Sequence, residues 1–338
     1  MNSALSVCLL LAAFYALAHC HHFPHHPTCE DDHKVTNHTE EHALLNQACV
    51  KQGASYADFT FRFYKQAILV EADKNVFFSP VSIATAFAML AMGAKSTTRT
   101  QIFEGMGFSL TEIQEEEIHE SFHHHIHMMN CPNNKIQTSM GNALFIAAEF
   151  KALEKFLQDV KTFYETEYFP TNFHNLKEAE KKINGYVEKK TRGKIPELVS
   201  SLDPNTVMVL VNYIYFKGKA WSTDGSINLY IPKFSISGSY DVKLLFKKMG
   251  ITDVFSSLAD LSGIAGTSDL YVSKAVHKAV LNVHENGTEA AAATAIAVNK
   301  FLHPSTTIKF NRPFVVMIVD KATLSTIFMG KIVNPTIK

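Results

Sequence analysis

The spacing of apolar positions divides the chain into a helical first half and a strand-rich second half. Between Tyr56 and Val70, Phe59, Phe61, Phe63, Ala67 and Ile68 recur at a helical period. The same reading gives helices over Val81–Met92, Thr111–Met129, Leu153–Tyr164 and Leu176–Thr191. Ser79-Pro80 sets a serine and a proline ahead of an apolar periodic stretch, the order of a helix start. Strands are predicted over Gly141–Ile146, Thr206–Lys217, Ile227–Ser235, Ala275–Val283 and Phe314–Val319, several with period two. Lys181–Lys194 is the most basic stretch and reads as a solvated helix face.

Val280–Val298 fits neither pattern. Its centre, Gly287 to Ala295, is almost all small residues, and the four alanines Ala290 to Ala293 favour helix on propensity. Alternate positions Thr288, Ala290, Ala292, Thr294, Ile296 and Val298 nevertheless form one uncharged face ending in β-branched residues, as a strand buried within a sheet requires. Helix, loop and inserted strand all remain open for this segment.

Composition narrows the class. With 338 residues, 46% hydrophobic and 19% charged, the chain can bury a sizeable core. Thirty-two Lys and Arg balance thirty-two Asp and Glu, so no net field favours nucleic acid or an anionic membrane. Ala4–Ala18 is an apolar run too short to span a bilayer comfortably. It ends in Ala16-Leu17-Ala18, a small-x-small cleavage pattern. Residues 1–20 therefore read as a secretory signal, 21–55 as a polar His-rich leader, and the mature product is expected outside the cell. Asn37-His38-Thr39 is a glycosylation sequon. Cys29, Cys49 and Cys131 are odd in number and lack metal-ligand spacing, so they make no disulfide framework. Eight histidines lie between His19 and His42, and His123, His124, His125 and His127 form a second knot. These are expected to be a solvated tail and an exposed helix face, with no metal site, because zinc needs ligands held in a fixed tetrahedron.

The segment Gly287-Thr288-Glu289-Ala290-Ala291-Ala292-Ala293-Thr294 resembles the reactive-loop hinge of inhibitory serpins. The resemblance extends to Asn75–Ile83, Val211–Gly218, Ser273–Ala279, Phe310–Phe314 and Phe328–Lys331, in the family's order over about 280 residues. It points to the plasma group containing alpha-1-antitrypsin, kallistatin and thyroxine-binding globulin. The implied fold is α+β: helices packed on a large, mostly antiparallel central sheet with an exposed reactive loop, in a single domain over 56–338. The implied function is secreted serine-protease inhibition, with no enzymatic activity and no cofactor. A protease cleaves the loop, forms an acyl-enzyme, and is trapped when the loop inserts as a new central strand. The implied partner is an extracellular, chymotrypsin-like serine protease, met by a monomer.

Carried over residue by residue, the reactive bond falls at Phe301-Leu302, with Lys300 the alternative if the loop is one residue shorter. Glu285 and Lys233 match an ion pair near the top of the sheet. Ser79, Ser82, Asn212 and His277 match a polar cluster beneath the place where the sheet opens. The resemblance gives that cluster a gating role, and no nucleophile elbow surrounds either serine.

Two departures stand out. After Trp221 the chain passes within a few residues into Ile227, where serpins place several dozen residues, so parts of the second and third sheets are expected to be missing near 221–227. Asn286-Gly287-Thr288 is a sequon inside the hinge, where a glycan would obstruct insertion. An inactive shortened isoform therefore stands beside the inhibitor reading. A second function, carriage of a small hydrophobic hormone such as a thyroid hormone, is implied by the likeness of Leu202–Thr206 and Phe301–Pro304 to thyroxine-binding globulin.

Overall fold

The computed structural model describes residues 53, 57–130, 136–218, 227–232, 234–283, 306–320 and 323–337. Helix α1 covers 57–70 and buries Phe59, Phe63 and Ala67, three of the positions that predicted it. Strand β1 (Val76–Phe78) leads into α2 (Pro80–Ala91). The Ser79 hydroxyl caps α2 by accepting from the Ser82 amide, with Pro80 in the first turn. All twelve residues of α2 are buried, so this helix has no polar face and forms the centre of the core.

The other helices are α3 (Ser96–Gly105), α4 (Glu115–Asn130), α5 (Glu154–Tyr164), α6 (Leu176–Lys190), α7 (Val242–Lys248) and α8 (Ser262–Ala265). The remaining strands are β2 (Ile136–Ala147), β3 (Glu167–Thr171), β4 (Met208–Gly218), β5 (Ile227–Tyr230), β6 (Phe234–Asp241), β7 (Lys274–Val283), β8 (Thr306–Lys309), β9 (Phe314–Val319) and β10 (Thr326–Ile332). The predicted strand over Ile227–Ser235 is in fact two. It breaks after Tyr230, ahead of Pro232, and β5 and β6 join different sheets.

The α+β architecture is as expected, and its central sheet is mixed. In the order β3-β2-β4-β7-β6, β2/β3 and β4/β7 are parallel while β2/β4 and β6/β7 are antiparallel. A three-stranded antiparallel sheet runs β1-β10-β9, and β5 pairs with β8. Strict alternation sorts the central strands between two layers. Leu144, Ile146, Leu210, Ile214, Ala275 and Ala279 face the main core with α2. Ala143, Phe145, Val209, Val211, Val276 and Val280 face a second layer built from α6 and the segment 195–202. Gly238 lets β6 pass close under β1, since a Cβ there would lie 1.7 Å from the Phe77 carbonyl oxygen.

Of the helical histidines, His123 and His127 are exposed as expected, His124 is half-buried, and His125 departs from that face. His125 is buried with Ile118, Phe122 and Ile126. Its Nδ1 meets the Ser121 carbonyl at 2.8 Å and its Nε2 meets Ser325 Oγ at 2.8 Å. The helical period turns position 125 to the same side as 118, 122 and 126. Among the described residues no cluster of three or more His, Cys, Asp or Glu could hold a metal, and no helix is long and apolar enough to cross a membrane.

Candidate functional site

Four residues singled out from the sequence, Ser79, Ser82, Asn212 and His277, come together behind the parallel β4/β7 seam, and all are buried. Asn212 and His277 are direct register partners across that seam. Ser79 and Ser82 arrive from the start of α2. His277 Nδ1 donates to Asn212 Oδ1 at 2.5 Å, while its Nε2 accepts from the Ser79 backbone amide at 3.0 Å. An amide can only donate, so Nε2 carries no proton and the ring is held neutral in one tautomer. Burial pushes the His277 pKa down to about 3.

Asn212 is the hub. Its Oδ1 also accepts from Ser82 Oγ at 2.9 Å. Its Nδ2 donates to the Ser82 carbonyl at 3.0 Å and to Asn142 Oδ1 at 2.7 Å. Asn142, opposite Asn212 on β2, is a member that sequence reasoning missed. The signal was available: position 142 shares parity with buried Met140 and Leu144, so an amide there needed a partner. Its Nδ2 has no hydrogen-bond partner among the described residues. The polar row extends from Asn142 through Asn212 and His277 to Tyr240 on β6, whose hydroxyl accepts from the Phe77 amide at 3.1 Å.

The opposite face of the seam is strapped. Asn184 on α6 accepts from the amides of Leu198 and Val199 and donates to the Val199 carbonyl. From β7, Lys274 donates to the Ser200 carbonyl at 3.0 Å and Lys278 to the Glu197 carbonyl at 2.6 Å. Burial lowers the Lys278 pKa, and Glu197 opposes that shift. The seam is thus pinned by a neutral hydrogen-bond network on one side and by lysine ties to a crossing segment on the other. Both serines are fully buried and hydrogen-bonded within the network.

The remaining sequence candidates, namely Asn37, Lys233, Glu285, Asn286, the hinge 287–294, Lys300, Phe301 and Leu302, lie outside the described residues, as do Cys29, Cys49 and Cys131.

The chain is similar to known proteins in both sequence and structure. A family model described as serpin (serine protease inhibitor) matches residues 54–226 and 220–335, in two pieces that meet at the short junction after β4. Bovine alpha-1-antiproteinase is 39% identical, covering 88% of this chain and 91% of that protein. That alignment runs over 382 positions, more than this chain possesses, so dozens of the relative's residues have no counterpart here. The crystal structure of human thyroxine-binding globulin is similar at a TM-score of 0.77 and 35% identity, covering 86% of this chain and 100% of that one. Human glycosylated kallistatin is similar at a TM-score of 0.76 and 36% identity, with the same coverage of 86% and 100%. With a family model matched over most of its length and a relative 39% identical across 91% of that protein, the chain belongs to the serpin family.

Proposed function

We propose that this chain is a secreted serine-protease inhibitor whose segment 284–305 is the bait loop. The observation that carries the proposal is the parallel pairing of β4 with β7. The chain leaves β7 at its C-terminal end, Val283, and re-enters described structure at Thr306. A strand folding straight back from Val283 runs antiparallel to β7, and therefore antiparallel to β4 as well. Entry between them replaces one parallel ladder by two antiparallel ones, which are more stable per residue, and adds buried backbone pairs. The alternating small and β-branched residues from Thr288 to Val298 suit such a slot.

In this reading the protease serine attacks the Phe301 carbonyl, expelling the Leu302 amine and leaving an acyl-enzyme. Insertion then carries the ester away before water can attack it. An aromatic Phe301 suits an apolar specificity pocket of chymotrypsin type, and the names of the alpha-1-antiproteinase relatives support protease inhibition as the class. The polar row behind the seam gates the opening, and the chain itself catalyses nothing.

The test is incubation with chymotrypsin. A covalent complex that survives SDS is expected, with new N-terminal sequence beginning at Leu302. Loop cleavage without a complex overturns the inhibitor reading for this shortened chain. Thyroxine-binding globulin among the structural neighbours supports hormone carriage as the second reading; thyroxine binding by a chain that forms no complex would favour it.

The lysine strap gives a further expectation. Lys278→Met keeps the stem but removes the tie to Glu197, so a synthetic peptide of residues 287–298 should anneal into the intact protein a few-fold faster. An unchanged rate would mean that the strap is no barrier to seam opening.

A further inference from the structure

Strand β9, Phe-Val-Val-Met-Ile-Val, contains no charge, no proline and no glycine. It ends the order β1-β10-β9, with one edge paired to β10 over Phe314–Val319 and no strand on the other edge among the described residues. Its two faces differ. Phe314, Val316 and Ile318 pack against the core. Val315, Met317 and Val319 are 53%, 41% and 42% exposed. Proteins ordinarily blunt such an edge with an inward charge, a proline or a bulge in the edge strand itself. Here the one irregularity lies in the register with β10, at Thr326/Phe328. The apolar surface continues beyond the strand, because Phe314 rests against Phe310 at 5.0 Å, next to β8 with its exposed Ile308.

We propose that this edge is a self-association surface, on which a second copy of the chain adds its own β9 antiparallel. A uniformly apolar strand offers no charge pattern by which to select a foreign partner, whereas an identical strand satisfies it symmetrically. The side-chain period of two allows only registers in which core-facing residues continue onto core-facing residues. Of the two that overlap most of the strand, the one centred on Val316 would set Pro313, which has no amide hydrogen, opposite Val319. The other puts Met317 opposite Met317 on the two-fold axis, Val315 opposite Val319, and Val316 opposite Ile318. Pairing slipped by one residue sets each exposed face beside a core face. The two-fold arrangement uses both free edges and closes, giving a dimer and not a fibre. One strand edge and three side chains bury less than the roughly 800 Å² per partner of a standard interface, so a reversible dimer of modest affinity is expected. The proposal differs from the monomer that the family resemblance implies.

Sedimentation velocity on the full chain over a thousandfold concentration range is expected to give a monomer–dimer equilibrium. Met317→Lys, an edge charge at an already exposed position, should move its midpoint at least about tenfold higher while leaving the circular dichroism and melting temperature unchanged. Met317→Cys should form a covalent dimer under mild oxidation, because residues on the axis of an antiparallel pair have Cα atoms about 4.5–5.5 Å apart, within disulfide reach. Leu258→Cys, equally free to react but far more exposed, is the control and should not cross-link at that rate. A monomer at every concentration, a dimer indifferent to Met317→Lys, or open-ended oligomers would each overturn the proposal.

Discussion

Replacing Asn212 by alanine is expected to cost about 3–5 kcal/mol of stability, the largest loss from any single side chain in the polar row. The reason is the number of buried groups stranded together. The Ser82 hydroxyl, the His277 Nδ1–H, the Ser82 carbonyl and Asn142 Oδ1 all bond to this one amide. Each unsatisfied buried group costs about 1–3 kcal/mol, and partial relaxation keeps the total below the simple sum. Asn142→Ala should cost far less, about 1 kcal/mol, because its amide nitrogen already lacks a partner and Asn212 Nδ2 keeps the Ser82 carbonyl. Urea unfolding of both variants checks the pair. Equal losses, or a loss under 1 kcal/mol for Asn212→Ala, would mean that the row does not hold the seam as a unit.

Acid should loosen the same seam. His277 titrates at about 3 in the folded protein, below the ordinary value of 6.5 that it regains on unfolding, and desolvation is the cause. Between those values the unfolded chain binds the extra proton, so stability rises with pH in this window. The contribution is complete above pH 6.5 and is lost as the pH falls towards 3. Its full size is of the order of 5 kcal/mol, taking about 1.4 kcal/mol per pKa unit. His125 adds to the same slope, since burial lowers its pKa too, against the Ser121 carbonyl and Asp320. Denaturation midpoints followed from pH 7 to pH 4 should fall steeply for the natural chain. His277→Gln should remove a large part of that slope. A profile unchanged by His277→Gln would refute the assignment.

What the sequence revealed follows from which signals are local. Ser79-Pro80 marked the start of α2 because capping and a fixed proline φ act within four residues. Strand β9 was readable to its last residue because its six apolar positions are bounded by Pro313 and Asp320. Strand β10 gave no period because both of its faces are buried, and β1 is only three residues long. Alternation through Ile227–Ser235 hid the break near Pro232, since the pattern records faces and not sheet membership. At the site, the family resemblance supplied four of the cluster's members. Asn142 became visible only through the register that sets it opposite Asn212. That β4 and β7 are neighbours at all is a long-range fact that no window of sequence contains.

The ladder between β4 and β7 runs from Lys217/Asn282 down to Val209/Lys274, and the Asn212/His277 rung is the sixth from the end where the chain departs. A wedge entering from that end must undo five rungs before it reaches the imidazole. A shallow entry therefore leaves the ring resonances of His277 untouched, whereas a deep one strips the ring of its Asn212 contact. The histidine is in this way a built-in depth gauge, and a proton spectrum alone would tell a stalled chain from one that has travelled the length of the groove.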